Sequence, residues 1–264
     1  MVGTILGRFL LRLAHLKSLL DIKTKNPESA SFTANGIIAS VLVENLTPDR
    51  GAFLDVGAHI GSVFSSVHHV SPSAKIFAVE ADPMKAEWLK GKFPYCTLFD
   101  VALGEQSGEV EFYRNMNEAG YSSLIPVEGP GVEKVAVPIA RLDDLLPTQV
   151  VDAIKMDIEG AELGALRGAE ALFERSRPIV MFESMGLEEN ALGYSPTLLW
   201  EWFFERNYHV LLPDHVAHMA PQLSLDSFID SHHYPFRTRD YFAVPAEKVD
   251  AVRERARSVL GINV

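Results

Sequence analysis

Cysteine is almost missing: the 264-residue chain has one, Cys96. A single thiol excludes an intramolecular disulfide framework and a zinc site built on several cysteines, and it suits a reducing compartment such as the cytoplasm. Pro94, Tyr95 and Leu98 supply no base beside it, so Cys96 reads as a small core residue rather than a nucleophile. A surplus of basic charge is missing too. Lys and Arg number 24 against 35 Asp and Glu, a formal net charge of −11, and nucleic-acid binding rests on the opposite balance, so no nucleic-acid partner is expected. Nor is there an uninterrupted apolar run of bilayer length. Arg8, Arg12, His15 and Lys17 break the apolar stretch 4–20, whereas a spanning helix takes about 20 mostly uncharged residues. Those arginines, with no small-residue cleavage site after them, also disfavour a secretory signal. The stretch reads as a helix packed on the domain or on a second subunit, with membrane-surface contact the less favoured reading. Internal repeats and low-complexity segments are absent.

What is present is ordinary globular composition, 47% hydrophobic and 22% charged, at a length that fits one large α/β domain with extensions. The expected organisation is a helical extension over 1–48, a sheet domain over 49–245 and an amphipathic helix over 246–264. Residues 21–31, with Asn26-Pro27, read as a linker, and 36–46 as a helix that stops before Pro48. Gly51 to Ser62 then reads as a buried strand, a tight turn on Gly57 and Gly61, and a helix start. Further strands are expected at 75–80, 97–101, 150–158, 178–182, 208–212 and 241–244. Two half-exposed strands are expected at 108–113 and 133–138, where residues alternate with period two. Helices are expected at 62–70, 84–92, 161–173 and 198–204, and 209–234 reads as an irregular, His-rich lid. Strand and helix alternate as in βαβ units, which implies a mostly parallel, doubly wound sheet with helices on both faces.

In such a sheet ligands sit beyond the carboxyl ends of the strands. Glycine permits a sharp turn or a close backbone approach, so Gly57 and Gly61 belong where a small molecule lies on the loop. Glu80 follows Gly57 by 23 positions, near the offset at which a carboxylate accepts hydrogen bonds from ribose hydroxyls. The spacing Gly-x-x-x-Gly is not the Gly-x-Gly-x-x-Gly that holds a pyrophosphate on a helix N-terminus, which favours an adenosine ligand without phosphates. Asp55 lies inside an apolar strand, where an unpaired carboxylate is costly. Either loop amides or a ligand ammonium must satisfy it. On a strand, the run from Ile154 to Glu162 would send Lys155, Asp157 and Glu159 to one face, which is tolerable where the strand end opens into a polar cleft. The adjacent pairs His68-His69 and His232-His233 make no ready metal site, and no metal is assigned.

Several motifs, taken in order, resemble the FkbM-type methyltransferases. They are Asp55-Val56-Gly57-Ala58-His59-Ile60-Gly61, Val79-Glu80-Ala81-Asp82-Pro83, Ala102-Leu103-Gly104 followed by Gly108-Glu109-Val110, and Ser122-Ser123-Leu124. Arg141 to Leu145, Ile154 to Glu162, Leu166-Arg167-Gly168-Ala169 and Arg177-Pro178 to Glu183 complete the series over about 51–184. The resemblance implies a Rossmann-like, seven-stranded, mostly parallel sheet with an antiparallel last strand. It also implies S-adenosylmethionine as cofactor and methyl transfer, usually to a hydroxyl oxygen of a small molecule, sugar, glycan or lipid. Carried over, Asp55, Gly57, Ala58 and Gly61 would meet the methionine part, Glu80 and Ala81 the ribose side, and Asp82 with Asp100, Val101 and Ala102 the adenine surroundings. Lys155, Asp157, Glu159 and Glu183 would face the acceptor, with Asp157 also beside the cofactor. Asp157 is the leading base candidate, followed by Glu183, Glu159 and His59. His59 departs from the family's usual Asn, and either takes over its hydrogen bonding, acts as a base or faces solvent. The rivals are an NAD-dependent oxidoreductase and a non-catalytic cofactor-binding scaffold.

Overall fold

The computed structural model describes residues 13–14, 16–18, 20–22 and 27–262. Most of the expected 4–20 helix, including Arg8, Arg12 and His15, lies outside these residues. Among the described residues no helix is long and apolar enough to cross a membrane.

From Ala30 onward the elements are α1 (Ala30–Asn45), then β1 (Ala52–Val56), α2 (Ser62–Val70), β2 (Lys75–Val79), α3 (Pro83–Lys92) and β3 (Cys96–Phe99). It leaves the main sheet for a smaller one made of β4 (Ala102–Leu103), β5 (Gly108–Asn115) and β6 (Val132–Ala140). It returns through α4 (Leu142–Leu145), β7 (Ala153–Met156), α5 (Glu162–Arg167), α6 (Glu170–Ser176) and β8 (Ile179–Glu183). The last part is α7 (Pro196–Glu205), β9 (Tyr208–Leu211), α8 (Pro213–Ala217), α9 (Leu225–Asp230), β10 (Asp240–Pro245) and α10 (Val249–Leu260). The main sheet has seven strands in the order β3-β2-β1-β7-β8-β10-β9. Only β10 runs antiparallel to its neighbours β8 and β9. This is the mostly parallel α/β sheet with an antiparallel last strand that the motifs imply.

Strand periodicity sorts the core into two layers. Leu54, Ile154 and Val180 pack with Leu163, Phe173, Phe203 and Phe228 from α5, α6, α7 and α9. Phe53, Ala153 and Met181 pack with Leu42, Phe64, Val216 and Val252 from α1, α2, α8 and α10. Each fully buried large side chain contributes about 1.5–3 kcal/mol over its exposed state. Local signals start the helices. Asp82 accepts from the Met84 amide at 3.0 Å, and Ser195 from the Leu198 amide at 3.3 Å, each just before a proline.

The structure departs from the sequence expectations at several points. The expected helix over 161–173 is divided into α5 and α6 around Gly168, where the Gly104 carbonyl oxygen approaches to 2.1 Å of the place a Cβ would take. The strand expected over 150–158 is confined to Ala153–Met156, since the backbone turns left-handed at Glu159 (φ 55°) and Gly160 (φ 96°). Consequently Asp157 and Glu159 are placed by a turn and not by strand alternation. The strand expected over 97–101 ends at Phe99, and Ala102 begins the smaller sheet. Within the linker expected over 21–31, Pro27–Ser29 forms a 3-10 turn and α1 begins at Ala30, while residues 23–26 lie outside the described set. Residues 209–234 are no irregular lid: they carry the end of β9, α8 and α9, and bury Val216 and Phe228 completely.

Candidate active site

The loop after β1 is held by backbone on every side. The amides of Gly57 and Ala58 both donate to the Val79 carbonyl at 3.0 Å, tying the loop to the end of β2. Glu80 closes the other side, its two oxygens accepting from the His59 amide at 2.7 Å and the Asp82 amide at 2.9 Å. Gly57 has φ 78°, and a Cβ there would lie 2.0 Å from the Asp157 carbonyl oxygen, so the position accepts no side chain without moving the loop. Asp55 is buried behind this loop and accepts from the Phe64 amide at 3.1 Å, so its carboxylate occupies the N-terminus of α2.

Buried charge then runs from β1 to β10. Lys155 Nζ donates to the Gly57 carbonyl at 2.8 Å and stands 3.5 Å from Asp55 Oδ1 and 3.4 Å from Asp157 Oδ2. Burial works against the lysine's charge, but Asp157 and Asp55 outweigh it and hold the ammonium above its ordinary range. Burial likewise opposes ionisation of Asp157, yet Lys155 and a hydrogen bond from Glu183 leave it below the usual carboxylate range. The carboxylates of Asp157, Glu159 and Glu183 converge within 4.8 Å of one another. Like charges that close cannot all ionise together. Burial and then the Asp157 charge push Glu183 up to about 9 and Glu159 up to about 7. Glu183 therefore carries the proton at neutral pH, and Asp157 does not. These three oxygens are the ones a hard cation would need, although Lys155 already supplies compensating charge beside Asp157.

Two hollows flank this group. A cavity of about 570 Å³ over β1, β2 and β7 is walled by Gly57, Glu80, Asp157 and the apolar Val79, Leu103 and Ile158, with Phe112, Ser122 and Leu124 contributed by the smaller sheet and the β5–β6 connection. A cleft of about 760 Å³ opens beyond β7 and β8, walled by Glu183, Ser184, Asn190, Tyr194 and Leu199. Glu159 lines both hollows.

A family model described as "Methyltransferase FkbM domain" matches residues 55–210, more than half of the chain and the whole stretch that builds both hollows. The chain belongs to the FkbM methyltransferase family. A relative, the 2-O-methyltransferase NoeI of Sinorhizobium fredii, is 24% identical over 160 residues, which is 52% of this chain and 64% of that protein. The chain thus spans less than two thirds of this relative's length. Among solved structures, a methyltransferase FkbM from Methylobacillus flagellatus aligns over 80% of this chain and 59% of its own, at 16% identity and a TM-score of 0.47. A precorrin-6y C5,15-methyltransferase from Geobacter metallireducens aligns over 66% and 73%, at 17% identity and a TM-score of 0.40.

Within this FkbM-family fold, Gly57, His59, Glu80, Ala81, Val101, Ala102, Asp157 and Glu159 line the first cavity. Glu183 lines the second cleft, and Asp55 and Lys155 stand behind the wall. Ala58 is buried in the loop. Gly61 makes room for the rings of Phe64 and Phe93, from which a Cβ would be 2.6 and 2.8 Å away. Asp82 caps α3 and lies 3.7 Å from Arg114, off the wall. Asp100 is not brought to the site; its side chain is 56% exposed and paired with Lys90 at 2.8 Å. His59, in the left-handed region at φ 51°, is half-buried on the cavity wall rather than at a solvent tip, and burial followed by Lys85 pushes its imidazole below its ordinary range.

Two acidic residues went unassigned from sequence. Glu162, 4% exposed, accepts from the Ile158 amide at 2.9 Å and the Gly160 amide at 3.3 Å and so clamps the turn that carries Glu159. Asp240 is the register partner of Glu183, and burial with the Asp157 charge pushes it up to about 6. Glu162 was visible as the last charge of its run. Asp240 had no signal, because nothing in one sequence says which strand pairs with β8.

Proposed function

We propose that the chain is an S-adenosylmethionine-dependent O-methyltransferase whose donor occupies the cavity over β1 and β2 and whose acceptor occupies the adjoining cleft. The observation that carries this reading is the capped N-terminus of α2. In a dinucleotide fold that N-terminus receives the pyrophosphate, but here the buried Asp55 carboxylate already takes the Phe64 amide. A ligand with anionic phosphates is thereby disfavoured against a cationic sulfonium lying beside Asp157 and Glu159. The donor set fits such a ligand. Gly57 lines the wall beside the methionine part without a side chain, Glu80 offers a carboxylate to ribose hydroxyls, and Val79, Val101, Leu103 and Phe112 offer an apolar slot to the adenine.

When bound, S-adenosylmethionine supplies an electrophilic methyl group. The chain's task is alignment and handling of one proton. Glu159 faces both hollows and titrates near 7, where a general base accepts a hydroxyl proton most effectively at neutral pH. Asp157 remains ionised but is engaged by Lys155 and Glu183, which suits it to hold charge rather than to gain a proton. Glu183 keeps its own proton, and Glu162 holds the turn beneath Glu159.

Calorimetry tests the donor assignment. S-adenosylhomocysteine should bind and NAD should not; the reverse order would replace this reading with a dehydrogenase. Methyl transfer to a candidate acceptor, followed by mass spectrometry, separates an enzyme from a scaffold that only binds the cofactor.

A further inference from the structure

One polar pair in the acceptor cleft lies outside the chemistry above. Ser184, immediately after β8, lines the cleft and is 6% exposed, and His232, between α9 and β10, is 5% exposed. Ser184 Oγ lies 2.9 Å from His232 Nε2, and His232 Nδ1 lies 2.7 Å from the Phe228 carbonyl oxygen. A carbonyl only accepts, so Nδ1 must carry a proton. Burial keeps the imidazole below its ordinary range and hence neutral, which leaves Nε2 without a proton. Ser184 must then donate its own hydroxyl hydrogen to Nε2, and only lone pairs are left for the cleft. The ring is fixed in this orientation by stacking on Tyr241 (5.4 Å, 14°) and by the edge contact with Phe228 (4.7 Å, 78°).

The rest of the wall adds no cation. Glu159, Glu183 and Glu188 line it, and no Lys, Arg or His is among its described lining residues; Arg239 reaches Glu183 from outside, at 3.7 Å. Ser184, left with lone pairs only, rewards a group that donates a hydrogen bond and disfavours an anion that can only accept one.

We propose that Ser184, fixed by His232 as a hydrogen-bond acceptor, reads a second hydroxyl of the methyl acceptor, next to the one presented to Glu159, so that the cleft selects uncharged polyols and rejects their acidic counterparts. This rests on the methyltransferase reading. Ser184 is the binding group and His232 its positioning residue.

The test uses the full chain saturated with S-adenosylhomocysteine and two matched probes, methyl glucopyranoside and methyl glucuronide, followed by NMR of ¹⁵N-labelled histidine. His232 Nε2 should appear unprotonated at neutral pH and shift with the glucoside but not with the glucuronide. Ser184→Ala should weaken glucoside binding about tenfold, the worth of one hydrogen bond, and Ser184→Thr should restore it. His232→Phe, which frees Ser184 to donate, should narrow the preference for the glucoside over the glucuronide. A protonated Nε2, equal affinity for both probes, no glucoside binding, or an unaffected Ser184→Ala variant would each overturn the proposal. Because S-adenosylhomocysteine binding is measured on every variant, loss of the fold or of the donor site is seen separately.

Discussion

The cavity over β1 and β2 and the cleft beyond β8 share Glu159 but are built from different materials. In the first, buried carboxylates are answered by backbone: Asp55 by the Phe64 amide, Glu80 by those of His59 and Asp82. Their partners cannot move without moving a helix or a strand. In the second, Glu159 and Glu183 are answered by protons, so the charge there is set by pH and not by fold. Glu162, tied to the Ile158 and Gly160 amides, is the link between the two regimes. The polar groups of the first hollow are fixed by backbone, with burial raising Asp55 and Glu80 above their ordinary range, whereas those of the second are held by one another.

The largest effect should come from breaking the rigid side. Gly57→Val puts a Cβ 2.0 Å from the Asp157 carbonyl oxygen in a left-handed backbone. It should cost about 3 kcal/mol or more, seen as loss of S-adenosylhomocysteine binding by calorimetry. Next is the shared residue: Glu159→Gln should lower turnover about 100-fold and abolish the acid limb near pH 7, with donor affinity within a few fold. Retained turnover would return the base to Asp157. Glu162→Ala removes the acceptor of two part-buried amides, at about 1 kcal/mol each, and should lower both melting temperature and turnover, with Glu162→Gln intermediate.

The pH dependence sharpens the contrast. Glu183, Glu159 and Glu162 all have folded pKa values above the unfolded ones, near 9, 7 and 7. Their stabilising contribution is complete below the unfolded value and is lost as pH rises through the folded one. Melting temperature should therefore fall from about pH 4.5 upward, through Glu159 and Glu162 as far as about 7 and through Glu183 alone from there to about 9, and Glu183→Gln should flatten the upper part of that fall; an unchanged slope would contradict the shared-proton arrangement. The smallest effect is expected at Asp100. Its exposed pair with Lys90 is worth about 0–1 kcal/mol, so Asp100→Asn should leave donor affinity unaltered.

The same division governs what could be read without a structure. The build of the first hollow was legible because its devices are local: Gly57 turns the chain, Asp82 caps the helix it precedes, and Glu80 ends a strand that the apolar run announces. Asp100 pairs with Lys90 in solvent while its neighbours Val101 and Ala102 line the first hollow, and no nearby signal says which of the three turns inward. The second hollow depends on contacts between distant segments. Ser184 meets His232 across 48 residues, and Asp240 meets Glu183 only through an antiparallel register. Residues 209–234 looked irregular because their apolar positions, Val216 and Phe228 among them, fit short helices packed on opposite faces of the sheet rather than one periodic element.

Glu159 belongs to both walls, and that has a thermodynamic consequence. A ligand entering either hollow that changes how readily this carboxyl holds its proton alters binding in the other, and linkage requires the two influences to be equal in size. A ligand in one compartment that shifts this proton is thereby felt in the other.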